Sequence, residues 1–303
     1  MAGVIGTGNH PAALWPGVNA FWGRMYKEHT TQYTEIFDVK SSGKAYEEDV
    51  EVTGFALAPV KAEGSAVSYD SETQGPTSRY THVPYALGFI VTHEEIQDNL
   101  YEVVGKRRAG ALAFSMRQTK ENVGANVLNR AFNSSFTGGD GVELLSTAHP
   151  TLDGTQSNEL ATAADFSEAA LEDLLIQINN AKNSRGLRIS IQAQKLIVPP
   201  ALMFDVQRVL KSELRVSTAD NDINAVRSMG LLPGGFTVNN YLTDTDAWFL
   251  KTNVMNGLCC FNREKIGFGR DNDFDTMNAK AKAYERYSVG WTDWRGCYGS
   301  PGA

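Results

Sequence analysis

Asp271, Asp273 and Asp275 alternate in the way the first oxygen ligands of a calcium-binding loop do. Such a loop also needs glycine at its sixth position and a bidentate glutamate at its twelfth, where this chain has Thr276 and Lys282. The segment therefore reads as a solvated acidic turn. His149, Asp153 and Ser157 supply the three residue types of a nucleophilic triad. They fall four apart in a polar loop with nothing to build an oxyanion hole, so a soluble hydrolase using His149 would rest on residue types alone. Thr92-His93-Glu94-Glu95 sets a histidine beside two carboxylates, but T-x-x-E is also a capping box, in which hydroxyl and carboxylate satisfy backbone N–H groups at a helix start. Helix-start chemistry explains it better than metal binding does. Gly6-Thr7-Gly8 lacks the third glycine, the preceding strand and the following helix of a dinucleotide fingerprint. The chain has no G-x-x-x-x-G-K-[ST], no H-E-x-x-H and no G-x-S-x-G. Cys259 and Cys260 are adjacent and Cys297 is remote, which makes neither a disulfide framework nor a metal clip, and all three read as reduced packing residues. The expectation is a protein that is not an enzyme, with no catalytic residue, no metal and no cofactor.

The elements that would hold these residues point elsewhere. The 303 residues are 42% hydrophobic and 21% charged, enough for a sizeable core in one or two domains. No apolar run approaches the ~18 residues of a membrane span, and the first residues have neither the positive nor the apolar region of a secretory signal. A net charge of −7 argues against a nucleic-acid reader, which would show a basic stripe. Lys106-Arg107-Arg108 is the nearest approach and reads as a partner-facing or solvated patch.

The stretch from Thr92 to about Asn133 organises the rest. From Lys106 to Asn133 it has no proline, and Leu112, Met116, Val123, Val127 and Ala131 form one apolar stripe, with Arg117, Lys120, Glu121 and Arg130 expected on or near the other faces. Residues 1–45 have aromatics, among them Trp15, Phe21 and Trp22, but prolines and glycines break them up, so they must bury against another surface, in this chain or a neighbour. Glu47–Thr53 and His82–Val91 read as strands joined by a polar loop of about twenty residues. A lone two-stranded ribbon is marginal in water, so a projecting hairpin of this kind calls for a partner surface. After a loop-rich stretch at 134–160, Asp165 or Ser167 caps a helix bearing Leu171, Leu174, Leu175 and Ile178 that Arg185-Gly186 ends. Gln192–Val198 reads as a buried strand, and Pro199-Pro200 opens a further helix with Leu202, Val206, Val209 and Leu210. Residues 217–230 read as a loop. Strands are expected at Phe236–Tyr241 and Ala247–Lys251, while Gly257–Gly269 and Ala279–Gly290 read as two further strands or as one strand and an irregular return.

That order of elements resembles the major capsid protein of tailed bacteriophages, the Hong Kong 97-type fold. So do LLSTAHPTLDGTQSNEL at 144–160, KLIVPPAL at 195–202, NDINAVRSMGLLPGG at 221–235, YLTDTDAWFLKT at 241–252 and the closing ERYSVGWTDWRGCYGSPGA at 285–303. The resemblance implies an α+β fold with an N-terminal arm (1–45), an extended E-loop hairpin (46–92) and a peripheral domain with a long spine helix (93–160). It further implies an axial domain (161–255) and a return to the peripheral domain (256–303). It implies a subunit that self-assembles into hexamers and pentamers, forming an icosahedral shell around phage DNA that it encloses without specific binding. Expected partners are a separate scaffold protein, a portal protein and a decoration or cement protein, with no membrane; the expected location is the virion, assembled in the host bacterial cytoplasm. An encapsulin-like nanocompartment shell is the alternative of the same fold. Expected inter-subunit contacts are Trp15, Phe21 and Trp22 in the arm; Lys61, Glu63, Tyr69 and Arg79 in the hairpin; and Lys106, Arg107 and Arg108 on the helix. Some members form a Lys–Asn cross-link from the E-loop; Lys61 is the lysine at the tip, and an ion pair to a neighbour is the role expected of it.

Overall fold

The structure, a computed structural model, describes residues 22–27, 30–98, 101–215, 222–273 and 275–303. After a helical segment at 22–27 come α1 (Tyr33–Ile36), strand β1 (Asp38–Ser41), the ribbon strands β2 (Tyr46–Val52) and β3 (Gln74–Thr81), and β4 (Val83–Val91). Two helices follow, α2 (His93–Gln97) and the spine helix α3 (Tyr101–Asn129), then a small hairpin of β5 (His149–Thr151) and β6 (Gly154–Gln156). The next part holds α4 (Glu168–Asn179), β7 (Ala193–Val198), α5 (Met203–Lys211), α6 (Ala225–Ser228), β8 (Phe236–Val238) and β9 (Trp248–Thr252). Two long strands, β10 (Leu258–Asn272) and β11 (Ala279–Trp291), and the short β12 (Cys297–Ser300) complete the order.

The first sheet runs β1-β10-β11-β4, with β1 parallel to β10 and the other pairs antiparallel. In β11, Ala279, Ala281, Ala283, Glu285 and Tyr287 are all buried while Lys280 and Lys282 point to solvent. That period of two puts one face under cover. Three alanines in a row on the covered face let a helix come close, and Ala109, Leu112, Ala113 and Met116 of α3 pack there. The 29-residue spine is ~44 Å long. Thr92 caps the short α2 ahead of it, its Oγ1 accepting from the Glu95 N–H at 3.4 Å, so the T-x-x-E signal starts α2 and not the spine itself.

Its buried stripe departs from the expected one. Ala109, Leu112, Ala113, Met116, Ala125, Leu128 and Ala131 are buried, whereas Val123 and Val127 are half-buried. The middle of the covered face is taken by Arg117, Lys120 and Glu121, each under a tenth exposed, which corrects the placement of these charges on the outer faces. They are tolerable there because opposite charge and backbone N–H groups meet them, as described below.

The second sheet runs β12-β9-β7-β8, with β7 parallel to β8 and the remaining pairs antiparallel. Ser167 Oγ accepts from the Ala170 N–H at 3.2 Å and starts α4, whose Leu171, Leu174, Leu175 and Ile178 pack on Leu196, Val198 and Trp248. This helix ends at Asn179, ahead of the expected Arg185-Gly186, because the Asn180 N–H bonds back into the last turn. Gly186, at φ +80°, instead serves a tight turn that brings it against Asp153. Within the expected loop 217–230, Ala225–Ser228 is helical, capped by Asn224 Oδ1, which accepts from the Arg227 N–H at 3.1 Å.

The hairpin strands pair differently from the expectation. β2 pairs with β3 across 74–81, a stretch read as loop, and β4 leaves the ribbon to join β11. Gly75 and Pro76 remove the apolar alternation from β3, yet its backbone still pairs with the charged strand β2.

Candidate functional site

The ribbon β2–β3 keeps regular register from Tyr46↔Thr81 to Val50↔Thr77, then slips so that Val52 faces Gln74. Thr53 closes it: its hydroxyl donates to the Thr73 carbonyl at 3.0 Å, and the Thr53 N–H does so at 3.2 Å. Beyond lies the tip. Asp70 gathers its base by accepting from the Ala56 and Ser71 N–H groups, both at 2.8 Å, and these bonds hold its carboxyl below the usual carboxylate range. The tip shows apolar groups that nothing among the described residues covers: Leu57 is 78% exposed, Val60 100% and Tyr69 95%, with Phe55 and Val67 also exposed. Large apolar groups left bare on a ribbon are the kind of feature that marks an interaction surface.

The root of the ribbon is tied to the body. Thr292 Oγ1 donates to Asp49 at 3.0 Å and lies 2.6 Å from the Tyr80 hydroxyl. Glu51 receives Ser184 Oγ and stands 3.6 Å from the buried Arg295 guanidinium. Arg185 reaches Asp70 at 3.3 Å and the Ser71 carbonyl.

The expected contact residues distribute as follows. Lys61, Glu63 and Tyr69 lie exposed on the tip. Arg79 sits on the ribbon, its guanidinium 3.9 Å from the Tyr46 ring centroid and 3.6 Å from Glu48. Arg107 is exposed, Lys106 half-buried, and Arg108 pairs with Glu95 at 2.9 Å. Trp22 finds its surface within the chain, stacked on Tyr26 at 5.4 Å and against Phe268 at 5.3 Å. Trp15 and Phe21 lie outside the described residues.

His149, Asp153 and Ser157 are not brought together. His149 is wholly buried, with Nδ1 2.6 Å from Asp140, Nε2 3.1 Å from Asn158 Oδ1, and its ring stacked at 4.3 Å on Trp294. Asp153 stands beside Lys182 at 3.6 Å, and Ser157 Oγ donates to the Glu159 carbonyl. The organiser here is Asn158, which sequence reasoning missed. Its Nδ2 donates to the carbonyls of Leu144, Trp294 and Cys297, and its Oδ1 also accepts from the Ser146 N–H. The acidic turn is closed by a Lys280–Asp273 ion pair, and among the described residues no group of His, Cys, Asp and Glu is arranged to hold a metal. All three cysteines are free and buried; burial pushes the Cys260 thiol up to about 11 and the Cys297 thiol up to about 12, as suits packing groups.

A second polar centre lies under the spine. Lys120 Nζ stands 3.2 Å from Glu285 and donates to Asn262 Oδ1 at 2.9 Å, with the Tyr287 ring centroid 4.6 Å away. Glu121 accepts from the Gln32 and Tyr33 N–H groups at 3.1 and 2.8 Å, and Arg117 donates to the Tyr26 carbonyl at 3.3 Å. Burial raises the carboxyls of both Glu121 and Glu285. The sequence signal for this centre was Glu285 itself, the one acidic residue in the inward register of A-K-A-K-A-Y-E-R-Y.

Comparison with known proteins agrees with this architecture. No curated protein matches the chain in sequence. In structure it is similar to the capsid of cyanophage P-SCSP1u, with 9% identity and a TM-score of 0.58 over 89% of this chain and 87% of that one. It is similar to the capsid of the native GTA particle, with 11% identity and a TM-score of 0.57 over 89% and 90%. A virus-like particle from Pyrococcus furiosus shares the fold at 13% identity and a TM-score of 0.51 over 93% and 97%. The family model described as phage capsid protein matches residues 75–300. This chain therefore belongs to the phage capsid protein family.

Proposed function

We propose that the chain is a major capsid subunit whose ribbon tip completes its burial on a neighbouring copy, so that hexamers and pentamers close into an icosahedral shell around phage DNA. The observation that carries this reading is the bare apolar tip, 55–69, on a ribbon whose root is tied to the body. Burying Leu57, Val60, Val67 and Tyr69 at a neighbour would contribute about 1.5 kcal/mol or more per side chain, repeated at every subunit of the shell. In this reading 1–45 is the arm, β2–β3 the E-loop, α3 with the first sheet the peripheral domain, and the second sheet with α4 and α5 the axial domain. β4, expected in the E-loop, pairs with β11 of the first sheet. The acidic balance suits a wall that encloses DNA without gripping its phosphates. A separate scaffold, a portal and a decoration protein would be the partners, and the virion the place of residence.

Negative-stain electron microscopy of the full chain, alone and with a candidate scaffold, tests this. Closed shells or capsomer rings are expected. A variant lacking residues 57–68, which keeps the Ala56–Asp70 clasp, should stay folded and soluble but form no stable shell. Uniform monomers of the unaltered chain under both conditions would overturn the reading, and unfolding of the shortened variant would show that the tip belongs to the subunit's own core.

A further inference from the structure

The ribbon β2–β3 is joined to the first sheet by two short crossings, residues 42–45 after β1 and His82 alone between β3 and β4. One side chain pins both. His82 is 3% exposed, with Nε2 3.0 Å from Ser42 Oγ at the start of the first crossing and Nδ1 3.0 Å from Ser288 Oγ on β11. The direction of each hydrogen bond follows from Glu47. Ser42 Oγ donates to Glu47 Oε1 at 2.7 Å, and a carboxylate only accepts. Bonds from Ser42 and from Lys44, whose Nζ is 3.1 Å away, hold that carboxyl below the usual carboxylate range. With its hydrogen committed there, Ser42 Oγ has only lone pairs left, which take the Lys44 N–H at 3.2 Å and the Nε2–H of His82. His82 is thus the Nε2–H tautomer, and its bare Nδ1 accepts from the Ser288 hydroxyl. The relay runs one way, from Ser288 through the ring and Ser42 to Glu47.

A proton on Nδ1 reverses the first step of that relay. Nδ1 becomes a donor, Ser288 must turn its own hydrogen away, and a cation is set in a buried place. The charged groups facing the ring are Arg286 of β11, whose Nε donates to the His82 carbonyl at 3.3 Å, Arg263 of β10 and Glu47 of β2, with Lys44 paired to Glu47 behind it. Burial and the two arginines hold the imidazole below the ordinary histidine range, against the opposing pull of Glu47. We propose that His82 is a proton-sensitive joint: neutral, it pins the ribbon to the first sheet, and protonated, it lets β2 and β3 open more often while the sheet stays closed. Because the folded chain prefers the neutral ring, the pinning is fully present above the ordinary histidine pKa and is lost as pH falls toward the lowered one. The other ties at the ribbon root, through Asp49, Glu51 and Asp70, contain no histidine, so the histidine range of pH isolates this joint. The joint lies within one chain and does not rest on the shell reading.

Amide hydrogen exchange of the unassembled full chain at pH 7.5 and 5.5, corrected for the intrinsic pH dependence of exchange, decides the matter. The amides of β2 and β3 should lose protection several-fold at the lower pH, to a limit of about tenfold, which is the change one unit below the ordinary histidine value. Those of β10 and β11 should hold theirs. His82→Gln keeps a donor and an acceptor but takes up no proton, and its ribbon should be equally protected at both pH values. Unchanged ribbon protection in the unsubstituted chain overturns the proposal, as does the same loss in H82Q. A loss shared equally by β10 and β11 is general destabilisation and overturns the joint. If H82Q does not accumulate, side-chain NMR of the unsubstituted chain is read instead. The Nε2–H tautomer, titrating below the ordinary histidine range, is expected; an Nδ1–H tautomer at neutral pH or an ordinary titration overturns the assignment.

Discussion

Asn158→Asp changes one buried NH2 group into an oxygen and nothing else in shape, which makes it a direct test of the hub at His149. In the native chain the two Nδ2 hydrogens are shared among three carbonyls, at 2.7, 3.1 and 2.9 Å. An ionised carboxylate there donates to none of them and faces three carbonyl oxygens in a site with no solvent access. At a net ~1 kcal/mol for each of the two hydrogens the loss is ~2 kcal/mol, and desolvating the new charge adds to it. Protonating the new carboxyl would recover one donor at most, so a cost of about 3–5 kcal/mol at neutral pH is expected. For a chain of this size that is roughly a 6–10 °C lower Tm. Urea unfolding of the unassembled subunit, followed by tryptophan fluorescence, provides the assay. Asn122→Asp, at an exposed helix position, is the control and should shift stability by no more than ~0.5 kcal/mol. If Asn158→Asp matches that control, the carboxamide is not what orders the 144–158 segment, and the hydrogen-bond argument fails.

Met116→Asp should destabilise the subunit by about 3 kcal/mol or more, because Met116 is 2% exposed against β11, whereas Val123→Asp, at a half-buried position, should cost distinctly less. Equal urea midpoints for the two would mean that the spine is rotated from the face described. Glu159 has its carboxyl raised by burial and by the charge of Glu143. The folded chain therefore holds that proton to higher pH than the unfolded one, and stability is lost as pH rises from the ordinary carboxylate value through the raised one. Glu159→Gln should accordingly gain stability over the unsubstituted chain at neutral pH and lose that advantage below about pH 4. Parallel curves of urea midpoint against pH would refute the assignment.

Periodicity was a good guide wherever one face of an element meets a hydrocarbon surface. The stripe of α4 is of this kind, and it is where the pattern puts it. The spine was read as a helix correctly but with its charges turned outward, because spacing cannot tell that Lys120 has Glu285 to meet it from another strand. β3 went unread because its pairing is made by backbone groups, which leave no mark on a side-chain pattern interrupted by Gly75 and Pro76. Asn158 was hidden for a related reason: its bonds run to Leu144, Trp294 and Cys297, and no local rule marks an asparagine whose partners lie so far along the chain. The exposed ribbon tip was more legible, since a stretch such as 55–69, too polar for a core, is marked by composition alone.

The interleaving of β1 and β4 with β10 and β11 has a consequence for biosynthesis. The first sheet is built from strands near the beginning of the chain and strands near its end, and β12 likewise completes a sheet begun at β7. While the ribosome is still short of residue 258, β1 and β4 have no partner, and the alanine face that receives the spine does not yet exist. Closure of so many distant pairings is slow compared with local helix formation. Nascent chains should therefore expose unpaired edges for most of translation and draw on chaperones, and a prematurely terminated chain would lack the surface that docks its own spine. Quality control is thereby written into the connectivity: only a polypeptide translated through its last strands can present a finished subunit to a growing lattice.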